Sequence, residues 1–226
     1  MVTFTTYDYG QPRQEELPGT EGEKPPVISD SVIVGLDLGQ RQDYTALAYV
    51  ERHQVDDEPA TYAVRRLRRW REVPYTAIRD ELAGRLAAWK LTGRDELVLD
   101  ATGVGVAVTD LFSERKRQGQ IPTGLSAITI TAGNSSSRVL DGWHVPKRDL
   151  IAVVAVMLEQ RRIQIADDLA DAVVLKGELA NFRLKLTAAG NDTYSAWREA
   201  EHDDLVLAVA LACWCGERPK RVNYIY

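Results

Sequence analysis

The sequence predicts an α/β domain built on a central mixed sheet. Two patterns carry that expectation. Three runs of strand character joined by short polar turns come first, which suits an antiparallel meander. Stretches with helical spacing then alternate with short apolar runs. That alternation suits crossover connections that lay later strands parallel to the first.

The elements follow in order. Residues 1–30 hold four of the nine prolines and no sustained periodicity, and read as a flexible linker or arm. Residues 31–39 are nearly continuous in Val, Ile and Leu, as a buried central strand requires. Residues 44–52 and 61–70 read as the second and third strands, with a turn at Asp56, Asp57, Glu58 and Pro59. Pro74 introduces a helix in which Ile78, Leu82, Leu86 and Trp89 share one face, and Gly93 ends it. A short buried strand follows at 96–100. Gly103 and Gly105 then permit a tight turn into a helix carrying Val108, Leu111 and Phe112. Residues 125–131 read as a strand, and the small polar stretch 133–142 as a loop or hairpin. A helix over 147–162, a short strand at 163–165 and a helix over 168–182 come next. Residues 183–197 resemble an added hairpin turning at 189–192. The last helix, 203–215, is apolar nearly all round and should be buried. Residues 218–226 read as a tail, so the domain is expected to run over 31–217.

Composition narrows the function. Hydrophobic residues make up 45% of the 226, an ordinary share for a globular core. No apolar stretch reaches the roughly 18 residues of a membrane span, and no signal pattern opens the chain, so a cytoplasmic protein is expected. Cys213 and Cys215 sit two apart on a helix, point to different sides and belong to no zinc-ligand set. The net charge of −5 is not the overall basic balance of a nucleic-acid binder. Local basic runs exist, however: Arg65, Arg66, Arg68, Arg69 and Arg71, and then Arg115, Lys116 and Arg117. An acidic site that recruits metal can coexist with basic rims that hold phosphates.

Three acidic stretches stand out. VIVGLDLGQRQD ends an apolar strand on Asp37 and continues to Asp43; LVLDATGVG carries Asp100; EHDDLVLAVALA carries Asp203 and Asp204. Taken singly, each has an ordinary reading. A strand-end aspartate often forms a turn, and an aspartate at a helix start often caps it. Together they suggest more. A charge after Val-Ile-Val-Gly-Leu is costly unless it is paired or bound to metal, and no Lys or Arg neighbours Asp37 in its strand. Oxygen-only ligands suit Mg²⁺ or Mn²⁺, in a site that can hold two ions about 3.5–4 Å apart.

These three motifs, in this order and spacing, resemble the C-terminal nuclease domain of the large terminase subunit of tailed bacteriophages. The resemblance covers roughly residues 31–217. It implies a ribonuclease H-like fold: three antiparallel strands plus parallel strands, flanked by helices. It also implies a metal-dependent endodeoxyribonuclease that cleaves concatemeric viral DNA during packaging, in the cytoplasm of the infected host. Carried over by motif, Asp37, Asp100 and Asp203/Asp204 would be the metal ligands, with Asp43 an accessory acid. Double-stranded DNA, an ATPase motor, and possible portal and small-subunit contacts would be its partners. The chain lacks a G-x-x-x-x-G-K-[ST] phosphate loop, so the motor is expected to lie on another chain or segment. Arg66, Arg68, Lys147 and Arg148 are the candidate DNA contacts, and little sequence specificity is expected because no base-reading helix is recognisable. His202, before the acidic pair, reads as a proton shuttle or a helix-entry residue. Three alternatives stay open: a Holliday-junction resolvase-like nuclease, a nucleotide-binding domain of the actin and sugar-kinase kind, and a non-catalytic module that contacts a motor or portal.

Overall fold

The structure is a computed structural model that describes residues 28–39, 43–89, 91–103, 106–140, 142–188 and 203–218. Eight strands and five helices are described: β1 (Ile28–Asp37), β2 (Thr45–Val55), β3 (Thr61–Trp70), α1 (Tyr75–Ala88), β4 (Glu96–Asp100), α2 (Val106–Arg117), β5 (Gly124–Thr131), β6 (Ser137–Val139), β7 (Gly142–Pro146), α3 (Lys147–Glu159), β8 (Ile163–Ile165), α4 (Ala172–Ala188) and α5 (Asp204–Gly216). The strands form one sheet in the order β6-β7-β5-β4-β1-β2-β3-β8. The β1–β2–β3 meander is antiparallel. β4, β5 and β7 continue from β1 in parallel, as the mixed sheet read from the sequence requires.

Two sequence expectations shift and one sharpens. β1 begins at Ile28, so Ile28, Ser29 and Asp30 belong to the sheet rather than to the arm. The stretch 133–142, read as a loop or hairpin, contributes β6, which pairs antiparallel with β7. β7 was hidden because GWHVP is short and bounded by glycine and proline. α4 runs to Ala188, through residues read as the first strand of the added hairpin. The run LKLTA alternates like a strand, yet its residues also extend the helical Leu175–Leu179 row, and the second period prevails. The rest of that expected hairpin, 189–197, lies outside the described residues, as do 1–27 and 219–226.

Each sheet face carries its own core. Ile33, Val50, Tyr62, Val98 and Ile128 pack beneath α3, α4 and α5. Val34, Leu36, Leu47, Leu97 and Leu99 pack against α1 and α2 on the other face. Alternation along each strand sorts the residues between the two layers. Thus Asp37 shares the α5 face with Ile33 and Gly35, and Asp100 shares it with Val98. α5 itself is buried along most of its length, from Leu205 to Gly216, as its unbroken apolar composition dictates.

α5 lies almost in contact with the β1 backbone. A Cβ built on Gly35 would sit 1.9 Å from the Ala208 carbonyl oxygen and 3.3 Å from the Ala212 nitrogen. No residue but glycine fits beneath the helix there. At the far end, a Cβ on Gly216 would meet the Tyr62 ring at 2.6 Å and Ile33 at 2.8 Å. The helix therefore runs antiparallel to β1, with its N-terminus at the strand's Asp37 end. Gly35→Ala should overpack this contact at a cost of about 1–3 kcal/mol or more, lowering Tm by roughly 3–10 °C. Gly84→Ala on α1, where an added Cβ meets nothing within 4 Å, should instead stabilise by about 0.5–1 kcal/mol. Thermal melts of both variants check the contrast.

Candidate active site

The C-terminal ends of β1 and β4 place two acids side by side. In their parallel register Gly35 faces Val98 and Leu36 faces Leu99, so the next pair is Asp37 with Asp100. Both are largely buried, 9% and 6% exposed. Asp100 Oδ1 accepts the Thr102 N–H at 2.7 Å. Thr102 Oγ1 in turn accepts the Ile130 N–H at 2.7 Å, which ties the turn after β4 to β5.

The α5 crossing brings a third acid. Asp204, one helical turn before Ala208, lines the same cavity of about 690 Å³ as Asp37, Asp43 and Asp100. Asp43 is exposed and lines the rim of the cavity. The Gly39 N–H donates to Thr45 Oγ1 at 3.1 Å, and Tyr75 Oη donates to the Gly39 carbonyl at 2.7 Å. Asp203 is the N-cap residue of α5, but its side chain makes no capping hydrogen bond. The capping role that its position suggested is filled by Glu178 of α4, whose Oε2 accepts the Leu205 and Val206 N–H groups at 3.0 Å each.

One arginine from the basic run reaches this site. Arg69 Nη2 lies 3.5 Å from Asp204 Oδ2, with both side chains mostly buried, and its guanidinium stacks 3.8 Å from the Tyr44 ring centre. A β-bulge opposite Tyr49 and Val50 puts it there. Before the bulge Tyr62 and Val64 face α5; after it Leu67 and Arg69 do. Unbroken alternation would have put Arg66 and Arg68 on that face.

Those two, expected as DNA contacts, face the other way. Arg66 lies over the Tyr49 and Trp89 rings at 5.5 and 5.6 Å. Arg68 lies over Trp70 and 3.5 Å from Glu81. Neither lines the acidic cavity. Lys147 and Arg148 do, at the start of α3. Arg148 is also tied to Asn134 through both the side-chain and backbone oxygens of that residue. Thr131, Ala132, Gly133 and Asn134 complete that wall. His202 lies outside the described residues, while His53 pairs with Asp30 at 2.5 Å. Cys213 and Cys215 are both free thiols.

The electrostatics follow from this crowding. Burial, then the charges of Asp100 and Asp204, push the Asp37 carboxyl well above its usual range, against the pull of Lys147. Burial also raises Asp100, opposed by its hydrogen bonds to Thr102 and by Lys147. The hydrogen bond between the two acids favours a shared proton held on Asp37. Burial pushes the Glu178 carboxyl up to about 7.

A family model described as the terminase RNaseH-like domain matches residues 34–213, spanning the strand of Asp37, Asp100 and most of α5. The chain belongs to the terminase RNaseH-like domain family. Membership supports a nuclease role in DNA packaging. Solved structures with a similar fold include the large terminase nuclease of thermophilic phage G20c, at 20% identity, covering 81% of each chain with a TM-score of 0.48. The human cytomegalovirus terminase nuclease domain soaked with manganese is similar at 14% identity, covering 83% of this chain and 84% of that one, with a TM-score of 0.50. RuvC of Thermus thermophilus is similar at 9% identity, covering 81% of this chain and 91% of that one, with a TM-score of 0.40. At these identities the likeness concerns the fold alone. No curated protein sequence matches the chain. No described helix is long and apolar enough to cross a membrane.

Asp37, Asp100 and Asp204 fit a hard divalent cation in donor chemistry, since their side chains offer only carboxylate oxygens. Their mutual repulsion is relieved by positive charge. Their spacing is not yet closed: among the described residues, no three acids are drawn together enough to enclose one ion. Asp204 is turned instead to Arg69.

A pH and metal dependence follows. Because the folded pKa of Asp37 lies above its unfolded value, the stability tied to its proton is complete below the unfolded pKa and is lost as pH rises through the folded one. At pH 8 without metal, Asp37→Asn should therefore melt several degrees above the native chain. Mn²⁺ at about 100 times its Kd should stabilise the native chain by about 2.7 kcal/mol, roughly 5–10 °C. The Asn variant should gain far less. Melting curves with and without Mn²⁺ at pH 5 and pH 8 give both readouts, and the metal-induced gain should shrink at pH 5.

Proposed function

We propose that this chain is a metal-dependent DNA endonuclease that cuts concatemeric viral DNA during genome packaging, by hydrolysing phosphodiester bonds with little sequence specificity. The observation that carries this reading is the meeting of Asp37, Asp100 and Asp204 at one cavity, from β1, β4 and α5. The domain would extend from β1 to residue 217, three residues longer at its start than the periodicity suggested.

In this reading Asp37, Asp100 and Asp204 are the metal ligands. Asp203 supplies a second helix carboxylate and Asp43 an accessory acid on the rim. Bound Mg²⁺ or Mn²⁺, in a two-ion site, would supply an activated water and charge neutralisation at the leaving oxygen. The protein's own groups do the rest. Lys147 and Arg148 bind a backbone phosphate at the cavity mouth and fix the register of the scissile bond. Thr102 orients Asp100 through its N–H, a bond that favours the carboxylate form against the effect of burial. Burial on the α5 face keeps bulk water away from the acids, which strengthens every interaction among them. Contacts to phosphate and sugar carry no sequence information, which supports little sequence specificity. Family membership favours a terminase motor as the partner that delivers DNA.

Supercoiled plasmid incubated with Mn²⁺ or Mg²⁺ tests the reading. Native protein should nick and linearise it. Asp37→Ala should cut at least about 100-fold more slowly, and chelation of the metal should abolish cutting. DNA left intact by native protein in both metals would instead favour a non-catalytic module. Equal cutting by the Ala variant would remove Asp37 from the site.

A further inference from the structure

Glu178 is buried, 7% exposed, on α4, far in sequence from all three acidic motifs. Its Oε2 accepts both the Leu205 and the Val206 N–H at 3.0 Å. These are two of the donors that every helix N-terminus leaves without an intrahelical acceptor. They immediately follow Asp204 and lie in the same helical turn.

An aspartate in the position of Asp203 normally supplies that cap itself, by folding its carboxylate back over the first turn. Here it does not. Arg69 approaches the same turn from β3, 3.5 Å from Asp204. The first turn of α5 is thus gripped by a carboxylate on one helix and a guanidinium on a strand.

We propose that Glu178 is a positioning residue for the helix-borne metal ligand: by capping α5 from outside, it fixes the direction of Asp204 and keeps the Asp203 carboxylate from being drawn into the cap. This rests on the metal-site reading above. Without Glu178, the two buried N–H groups would take the nearest acceptor. Asp203, at the N-cap position, carries the side chain that usually fills that role, and the turn bearing Asp204 would rotate or fray as it closed. Residues that orient a ligand typically contribute 10–100-fold to metal affinity.

Two conservative variants separate position from charge. Glu178→Gln keeps the reach and one carbonyl oxygen, which suffices because a single oxygen accepts both N–H groups. Glu178→Asp keeps the charge but falls one methylene short. Mn²⁺ affinity is measured by titration calorimetry on the full chain, well below each melting temperature, with Asp204→Ala as reference. Asp204→Ala should lose binding, Glu178→Asp should bind about 10–100-fold more weakly, and Glu178→Gln should stay near native.

The opposite order, with Asp near native and Gln weakened, would make the role one of charge and overturn the proposal. So would native affinity in both variants accompanied by lowered Tm, the signature of a purely structural cap. Absence of Mn²⁺ binding by the native chain, or binding unaffected by Asp204→Ala, would sink the metal site and this inference with it. Binding lost in Asp204→Ala yet native in Glu178→Asp would sink this inference alone.

Discussion

The contact of α5 with the β1 backbone at Gly35 is the constraint on which the site depends. Gly35 and Asp37 are two residues apart on one strand and share a face. Ala208 and Asp204 are four apart on one helix and share a side. Once Ala208 is seated on Gly35, the two acids are carried to the same end of the crossing. A bulkier residue at Gly35 would lift the helix and widen the gap between them. The parallel register of β1 and β4 then adds Asp100 at the same level. Three carboxylates from distant parts of the chain meet because two backbone approaches are tight.

That convergence is expensive in the metal-free protein. Asp37 and Asp100 are held in low dielectric within a hydrogen bond of each other, and Asp204 adds a third charge. The apolar layers on both faces of the sheet, and the nearly complete burial of α5, supply the stability that tolerates it. Such local conflict between charge and burial is expected at functional sites, where a local rule is broken and the rest of the fold compensates.

Much of this was legible in the sequence because it followed simple periods. The meander, the crossover strands and the apolar last helix all obey alternation or helical spacing. Asp37 and Asp100 drew attention because each ends a continuous apolar run. The Asp203/Asp204 pair drew attention at the head of a wholly apolar helix, but periodicity did not tell which of the two lines the cavity; the structure places Asp204 there. What escaped reading depends on phase rather than period. The bulge near Arg65 reverses which arginines face α5, so Arg69 was only one member of a basic run while Arg66 and Arg68 drew attention. Glu178 carries no local signal at all, since a glutamate inside an amphipathic helix reads as surface. Its role exists only once α4 has packed beside the start of α5. Arg66, Arg68 and Arg69 are engaged with rings and carboxylates of the fold itself. Among the described residues, Lys147 and Arg148 are the basic side chains lining the cavity.

The central claim is that Asp37, Asp100 and Asp204 hold metal together. Anomalous scattering from crystals of this chain soaked in Mn²⁺ addresses it most directly. The account predicts a manganese peak within about 2.5 Å of carboxylate oxygens from both β1 and α5, with Asp204 turned from Arg69 toward the ion. A peak elsewhere, or ordered manganese that leaves Asp204 paired with Arg69 and out of reach, would contradict it.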